Sequence, residues 1–283
     1  MMLSSPLHLA ASALLIFAIA LPGQTPAGRT GPVSEAIRRA NQLDLDGKGR
    51  EARQLFQTAI DSAATPSAKA SAQRAMAMSW AFEGNCKETG EYEQMVIDYW
   101  VTKEREDPHS SFYQQGEMAD EAARVCIDSG NLDEAEKWYK TGHDIGVKEP
   151  DISPDRKALW EYRWHHAQAR IASRRKNRAD AERYIEAAQA DLAAMTELKK
   201  QQETFFPYLT GYVAFYFGDY SKALADLQKA NPADPFIQCL LGQTYEALGQ
   251  KDKAMECYRK ALATNAHNPP AAFAHPFARK RLG

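Results

Sequence analysis

The sequence lacks the patterns that mark most enzymes and most β-sheet proteins. No stretch alternates apolar and polar residues between turn residues, so a sheet is not expected. The motifs H-E-x-x-H, G-x-x-x-x-G-K-[ST], G-x-S-x-G, G-x-G-x-x-G and C-x-x-C are also missing. Their absence removes the usual signals for zinc peptidases, nucleotide binding, α/β-hydrolases and redox enzymes. The sequence therefore predicts a helical protein that is not an enzyme and has no cofactor or metal.

A strong excess of one charge is missing as well. The 35 Lys and Arg residues nearly balance the 37 Asp and Glu residues, which gives a formal net charge of −2. This balance gives no reason to expect a nucleic-acid partner or a general attraction to anionic membranes. The composition therefore predicts no nucleic-acid partner.

Long hydrophobic runs are absent except at the N-terminus. Residues 7–21 form an apolar run of about 15 residues, whereas a membrane-spanning helix needs about 20. Small residues at Ala18 and Ala20, or at Thr25 and Ala27, suit cleavage by a signal peptidase. The first six residues contain no Lys or Arg, so an uncleaved inner-membrane anchor at residues 7–21 stays open as the alternative. We expect an exported protein, periplasmic or secreted, that touches a membrane only through this segment if it is kept.

The remaining sequence is dominated by one helical pattern, which is most regular in residues 236–261. Small residues, a turn glycine and large side chains follow one another there in the order Leu241, Gly242, Tyr245, Gly249, Ala254, Tyr258 and Ala261. Small residues allow two helices to cross closely, and large ones fill the adjacent spaces. The same pattern recurs upstream, with turns at Gly47, Gly84, Gly130, Lys176-Asn177 and Gly218.

This order of residues resembles the tetratricopeptide repeat (TPR), a helix–turn–helix unit of about 34 residues. The resemblance covers nearly all of the chain after the N-terminal segment, roughly residues 34–263. It implies an all-α, TPR-like solenoid of about six antiparallel helix pairs forming a right-handed superhelix, of an exported bacterial type. It also implies a non-enzymatic scaffold that binds a protein or peptide segment in its concave groove. An irregular helical bundle is the alternative architecture.

The pattern divides the chain into five expected segments. The loop and the tail are assigned from their prolines, which stop helices. Phe273 and Phe277 of the tail are expected to lie across the open end of the array as a cap. The boundaries are 1–27 for a signal peptide or N-terminal anchor and linker, 28–142 for N-terminal TPR-like repeats, 143–157 for a loop or hinge, 158–268 for C-terminal TPR repeats and 269–283 for a proline-rich C-terminal tail or cap.

The resemblance also indicates which residues line the groove, because the first helix of each TPR hairpin forms the concave face. Arginine binds carboxylates through bidentate, charge-assisted bonds, and Tyr and Phe anchor extended peptides. We therefore predict that the junction of the fourth and fifth units binds a peptide segment or chain terminus with acidic and apolar side chains. The predicted peptide-binding residues are Arg163, His166, Arg170 and Arg174 of the fourth unit and Phe205, Tyr208, Tyr212, Phe215 and Tyr216 of the fifth.

Two other interpretations of this junction stay open. In the first, the aromatic residues pack against the next helix and the arginines pair with glutamates. In the second, the aromatic groove stacks on sugars, as in a carbohydrate- or peptidoglycan-binding module. If the groove binds a peptide, replacing Arg170 and Tyr212 together by Ala is expected to abolish partner capture while helicity and melting stay unchanged.

Cysteine is scarce, with four residues in the chain, but an exported protein can oxidise them. Cys86 opens the second helix of one hairpin and Cys126 lies late in the first helix of the next. Antiparallel packing brings these two positions to one edge, and the same holds for Cys239 and Cys257. We predict the disulfides Cys86–Cys126 and Cys239–Cys257; the alternative is that all four are buried small apolar residues.

His165 and His166 form the one candidate metal site among the histidines. Adjacent helical residues point about 100° apart, so the two side chains cannot easily share one ion. A structural or groove-lining role is therefore expected. The oligomeric state is left open by the sequence.

Overall fold

The computed structural model describes residues 32–283, so the predicted signal peptide or anchor lies outside the described residues. Within this range the chain is helical and contains no strand. No helix of residues 32–283 is long and apolar enough to cross a membrane. The helices are α1 (Pro32–Leu45), α2 (Gly49–Asp61), α3 (Pro66–Ala81), α4 (Cys86–Val101), α5 (Pro108–Asp128), α6 (Leu132–Gly146), α7 (Pro154–Arg174), α8 (Arg178–Ala194), α9 (Lys199–Gln202), α10 (Phe205–Phe217), α11 (Tyr220–Leu227), α12 (Pro235–Ala247), α13 (Lys251–Leu262) and α14 (Pro269–Leu282).

Consecutive helices pack as pairs, and the pairs stack into a solenoid. The units are α1–α2, α3–α4, α5–α6, α7–α8, α10–α11 and α12–α13, and we number them one to six. The short α9 lies in the connection between units four and five. The predicted all-α architecture of about six helix pairs is thus confirmed.

Close helix crossings explain where the small residues fall. A Cβ atom added at Gly211 of α10 would lie 2.6 Å from Cγ of Leu227 on α11. In unit six, the ring of Tyr258 would clash in the same way with a Cβ added at Gly242. A larger residue would therefore push each pair apart, because packed interiors have little free space.

A common two-residue signal begins five of the helices. A Thr, Asp, Ser or Asn side chain accepts a hydrogen bond from a backbone N–H two or three residues on, and a proline follows it directly. Proline suits the first helical position because its missing N–H would have no partner there. The pairs are Thr65-Pro66, Asp107-Pro108, Ser153-Pro154, Asp234-Pro235 and Asn268-Pro269.

Two predicted boundaries differ from the structure. The predicted loop 143–157 shrinks to residues 147–153, because α6 continues to Gly146 and α7 already begins at Pro154. The predicted tail 269–283 is almost entirely helix, since Pro269 starts α14 instead of preventing it. Proline acts as a helix starter at both places, although its position in the sequence predicted a helix breaker.

The helix α14 does more than cap the sixth unit. Phe273 packs on Phe236 of α12 with ring centroids 4.8 Å apart, as a cap would. The start of α14 also reaches back to the first units, where Ala271 and Ala272 join an apolar cluster with Leu45 and other residues of units one to three. The C-terminal helix therefore closes the array onto its N-terminal half.

A buried polar cluster fastens this closure. The Asp44 carboxylate is 1% exposed and accepts a hydrogen bond from Ser79 Oγ at 2.8 Å. Its other oxygen lies 2.8 Å from His267 Nε2, in the segment that leads into α14. The His267 ring also stacks on Phe82, with centroids 5.3 Å apart. Each polar group is satisfied across the junction, so separation of α14 would leave the Asp44 carboxylate short of a partner.

The structure joins Cys86 and Cys126 by a disulfide, as predicted, with Cα atoms 4.7 Å apart. The second predicted pair is wrong, because Cys239 and Cys257 are free and buried. Cys239 faces the α13–α14 side, where its Sγ lies 3.7 Å from the Ala274 carbonyl oxygen. Cys257 belongs to the apolar cluster around α10, α11 and α12 instead.

Removing the disulfide should lower stability clearly. The bond closes a loop with a sequence separation of 40, and the loop-entropy model gives about 4 kcal/mol for a loop of this length. We expect Cys86→Ala/Cys126→Ala to lose about that much unfolding free energy in urea titration. Cys257→Ala is the control, because its thiol is free. Equal stability of the double variant and the wild type would contradict the assignment.

Removing the His267 side chain should loosen the C-terminal helix. The His267–Asp44 pair is almost fully buried, with side chains 8% and 0% exposed, so loss of one partner costs about 3 kcal/mol. We expect His267→Ala to melt at lower temperature and to be cleaved by protease between α13 and α14. His165→Ala, which removes a partly exposed pair with Asp191, should cost about 1 kcal/mol or less. Equal effects of both variants would contradict the closure.

Candidate binding cavity

The predicted binding residues come together on α7 and α10, but most of them are not exposed. His166, Arg170, Tyr208 and Tyr212 are 8%, 4%, 4% and 0% exposed. Their side chains therefore belong to the interior of the solenoid and not to an open concave surface. Arg163, Arg174, Phe205, Phe215 and Tyr216 are partly buried.

This burial follows from contact between first helices of distant units. The Arg124 guanidinium carbon, on α5 of unit three, lies 4.3 Å from the Phe236 ring centroid on α12 of unit six. The Tyr212 ring of unit five stacks on the same Phe236 ring at 6.3 Å. Since Arg170 and Tyr212 are core residues, their double replacement by Ala is expected to lower the melting temperature, contrary to the expectation from the sequence.

A cavity of about 180 Å³ remains among these side chains. It lies between α5, α6, α7, α9 and α10, and we call it the arginine cavity. Its lining combines guanidinium groups, phenols and one carboxyl group. The lining residues are Asp120, Arg124, Tyr139, Tyr162, Arg163, His166, Arg170, Gln202, Phe205 and Tyr208.

Two of the three arginines in the lining are neutralised by carboxylates. Arg163 forms an ion pair with Glu117 of α5 and donates a hydrogen bond to the Tyr113 hydroxyl at 3.2 Å. Arg124 Nε donates to Asp128 Oδ2 at 3.0 Å, one helical turn along α5. These charges are therefore balanced inside the protein.

Arg170 differs from the other two arginines. Its Nη2 atom donates to the Tyr139 hydroxyl at 2.6 Å, while Nε and Nη1 are buried without a hydrogen-bond partner. Among residues 32–283, no carboxylate forms an ion pair with it. Burial acts to lower the pKa of Arg170, but the oxygens of Tyr139 and Tyr208 more than offset this effect, so the pKa lies above its ordinary value. Arg170 is thus a buried cation with unused donors.

Other polar atoms of the lining are also buried without partners. They are Arg124 Nη2, Tyr162 Oη, His166 Nε2 and Tyr208 Oη. Burial, helped by the charge of Arg170, holds the pKa of His166 well below its ordinary value, so this imidazole is neutral. Buried polar groups in proteins are normally hydrogen-bonded. The arginine cavity therefore offers several ready hydrogen bonds to a ligand or to water.

Asp120 is the one carboxyl group in the lining, and its environment favours the protonated form. Burial raises the pKa of Asp120 to about 8, although the charges of Arg163 and Arg170 act in the opposite direction. Glu117 and Glu121 on the same helix add to the rise. At neutral pH Asp120 is therefore mostly a neutral acid that can donate a hydrogen bond.

Arginine and tyrosine side chains continue beyond the cavity towards the end of α7. Arg174 Nη1 donates to the hydroxyls of Tyr212 and Tyr216 at 3.3 and 3.4 Å. Its guanidinium carbon also lies 4.8 Å from the Tyr216 ring centroid. Arg174 and Tyr216 thus form a half-buried continuation of the arginine cavity.

The histidines do not assemble a metal site in the described part of the chain. His165 Nδ1 lies 2.6 Å from Asp191 Oδ2, whereas His166 faces the arginine cavity. His143 Nε2 lies 3.2 Å from Glu161 Oε2. No group of three or more His, Cys, Asp or Glu side chains in residues 32–283 could hold a metal ion.

Sequence reasoning missed the residues that α5 and α6 supply to the cavity, chiefly Asp120, Arg124 and Tyr139. The sequence does contain one pattern that indicates the residues of α5. Asp120, Arg124 and Asp128 recur every four residues along α5, and such spacing places charges on one face of a helix. The neighbouring residues are mostly Ala, Val, Cys and Ile, so this charged stripe crosses an otherwise buried helix.

Comparison with known proteins agrees with this architecture. Residues 237–268 match the family model of the tetratricopeptide repeat. A TPR repeat-containing protein of Methanocaldococcus jannaschii is 40% identical over 60 residues, which are 20% of this chain and 19% of that protein. The match thus spans about a fifth of that relative's length.

Solved structures give a more distant likeness. A tetratricopeptide repeat protein from Parabacteroides merdae is 14% identical, with 88% of this chain and 97% of that chain covered and a TM-score of 0.39. BtubC from P. vanneervenii is 17% identical, with 82% and 90% covered and a TM-score of 0.43.

Stacked antiparallel helix pairs define a helical-repeat solenoid. The family-model match lies in unit six, so this part of the chain is similar to the tetratricopeptide repeat. TPR repeats generally mediate protein–protein interactions and are typically non-enzymatic.

The raised pKa of Asp120 predicts a pH-dependent stability. In the folded protein the pKa of Asp120 is about 8, whereas the ordinary pKa of an aspartate side chain is 3.8. The neutral acid is therefore favoured up to about pH 8. The contribution of Asp120 is therefore fully present below about pH 4 and is lost as the pH rises to about 8, by at most about 1.4 kcal/mol per pH unit. We expect Asp120→Asn, which cannot ionise, to gain stability relative to the wild type across this window.

Urea titrations between pH 4 and pH 8 would measure this difference. Asp98→Asn, at an exposed site of α4, is the matched control for removal of one carboxylate. A constant difference between Asp120→Asn and the wild type over the whole window would show that the Asp120 carboxyl group is ionised throughout.

Proposed function

We propose that this protein is a non-enzymatic scaffold that binds a protein or peptide segment where units three, four and five meet. The observation that carries the proposal is the arginine cavity, with its buried, unpartnered donors beside the partly buried Phe205. Donors of this kind suit acidic groups, and the Phe205 ring beside them suits apolar side chains. The usual role of TPR repeats in protein interactions supports the same function.

Binding of a carbohydrate or of peptidoglycan is less well supported by the geometry. Sugar stacking needs open aromatic faces, but Tyr208 and Tyr212 are 4% and 0% exposed. Their rings instead pack on one another and on Phe236. A peptide chain that inserts one polar group and rests on Phe205 and Tyr216 fits this surface better than a sugar ring.

We also propose that the protein is exported, to the periplasm or beyond the cell. The Cys86–Cys126 disulfide supports this location, because structural disulfides persist in oxidising compartments. N-terminal sequencing of the protein purified from its native source would test it. A mature N-terminus between about residues 21 and 28 would support cleavage and export, whereas recovery of the intact chain from the cytoplasm with reduced Cys86 would refute the proposal.

Selection from a displayed peptide library tests the binding function directly. We expect the wild-type protein to enrich peptides that carry an acidic group next to apolar residues. Phe205→Ala/Arg174→Ala should weaken their binding at least about tenfold, because loss of two interface anchors typically costs more than 1.4 kcal/mol. His165→Ala, outside the arginine cavity on the same helix, should bind as the wild type does. Failure to enrich any peptide, or equal binding by both variants, would contradict the proposal.

A further inference from the structure

The lining of the arginine cavity contains one positive charge that no carboxylate of residues 32–283 balances through an ion pair. Arg124 and Arg163 have Asp128 and Glu117 as ion-pair partners. Arg170 donates to the Tyr139 hydroxyl, and its guanidinium carbon lies 5.9 Å from the Tyr212 ring centroid. Within residues 32–283 it has no ion-pair partner. Asp120 faces the same space and is mostly protonated at neutral pH. The interior around Arg170 thus carries about one uncompensated positive charge.

We propose that the arginine cavity binds a single carboxylate group through Arg170 Nε and Nη1, with Tyr162 and Tyr208 as additional donors. This inference rests on the proposed function for the source of the group, which is a bound peptide. Beyond the general role of the scaffold, the proposal names the binding site, the charge of the bound group and the donor atoms that hold it.

A carboxylate matches the donors that the structure leaves open. The two free guanidinium positions, Nε and Nη1, belong to a planar group whose N–H donors suit the two oxygens of a carboxylate. The phenolic hydroxyls of Tyr162 and Tyr208 are buried and have no internal partner. A bound carboxylate can accept from the guanidinium and from both phenols, which would satisfy polar atoms that the protein leaves unpaired.

The size and charge of the site favour a monoanion over a dianion. A cavity of about 180 Å³ has room for a carboxylate with a few carbon atoms. One charge is enough to balance Arg170, and a second would be buried without a counter-ion. The geometry therefore points to the terminus or an acidic side chain of a peptide.

The cost of burying Arg170 supports a binding role. Replacement of a buried charge by an apolar side chain of similar volume is often neutral or stabilising. Arg170 is 4% exposed and lacks a carboxylate partner within residues 32–283, so its charge is expected to destabilise the fold. Functional sites commonly keep groups that cost stability, because activity and stability trade off against each other.

Acetate is the simplest probe of the site, and the full chain can be used. We expect titration with sodium acetate to shift the Nε–H resonance of Arg170 in ¹⁵N-labelled protein. Sodium chloride at the same ionic strength is the control, and inorganic phosphate is the dianion probe. No acetate-specific shift, or tighter binding of phosphate than of acetate, would overturn the proposal.

Two substitutions separate a binding role from a structural one. Arg170→Met removes the charge but keeps the volume, and we expect an unchanged or higher melting temperature with acetate affinity reduced at least tenfold. Tyr208→Phe removes a hydroxyl that makes no internal hydrogen bond, so it should leave the fold intact and reduce affinity several-fold. Tyr258→Phe, a buried tyrosine of unit six, should bind acetate as the wild type does. Equal acetate affinity in the wild type and Tyr208→Phe would overturn the role of this hydroxyl as a donor.

Three pools of synthetic peptides then identify the source of the carboxylate. The first pool has a free C-terminus and no Asp or Glu, the second is amidated and contains Glu, and the third is amidated without acidic residues. Preference for the first assigns a chain terminus, and preference for the second assigns a side chain. Equal binding of the third pool, unaffected by Arg170→Met, would overturn the carboxylate site while leaving the scaffold function intact. Acetate binding without capture of any peptide would instead refute the scaffold function and leave the site standing.

Discussion

The contact between His267 and Asp44 is the constraint on which the arrangement of the inner helices depends. It joins residues separated by 223 positions, and it anchors the segment that leads into α14 against unit one. With α14 held in place, its apolar residues cover the first helices of units one to three and of unit six. A surface that would be concave and open in an extended solenoid is thereby converted into an interior. An open TPR array would expose much of this surface, so the closure changes the environment of every side chain that faces inward.

The burial of arginine and tyrosine side chains between α5, α7 and α10 is a consequence of this closed form. Most of these groups have an evident structural role. Arg163 pairs with Glu117, and Arg124 pairs with Asp128 while it lies over Phe236. Arg170 does not follow this rule. In the part of the chain that the structure describes, its charge has no carboxylate partner and two of its donor positions are unused. Departures of this kind from local consistency tend to occur at functional sites, which is why the arginine cavity and not a larger surface depression is assigned a role.

Structural features that depend on neighbouring units could be predicted from the sequence. The helix pairs follow from the spacing of small and large residues, and the Cys86–Cys126 disulfide follows from the positions of helix ends in adjacent hairpins. Features that depend on distant units could not be obtained in this way. Nothing in a local pattern brings Asp44 to His267 or Arg124 to Phe236, so the predicted groove residues were taken to be exposed. The Asn268-Pro269 pair was a readable signal for α14, because the same cap and proline begin the first helices of four units.

Arg124 physically connects the closure of the array to the arginine cavity. Its guanidinium group pairs with Asp128, lies over the Phe236 ring and still has one buried Nη2 atom free of partners at the cavity wall. A ligand that accepts a hydrogen bond from this atom would therefore contact the side chain that holds unit three against unit six. Residues that share a partner do not contribute independently to free energy. Binding of such a ligand would therefore be coupled through Arg124 to the contact between units three and six. The packing that buries the predicted groove residues also positions the polar atoms of the cavity.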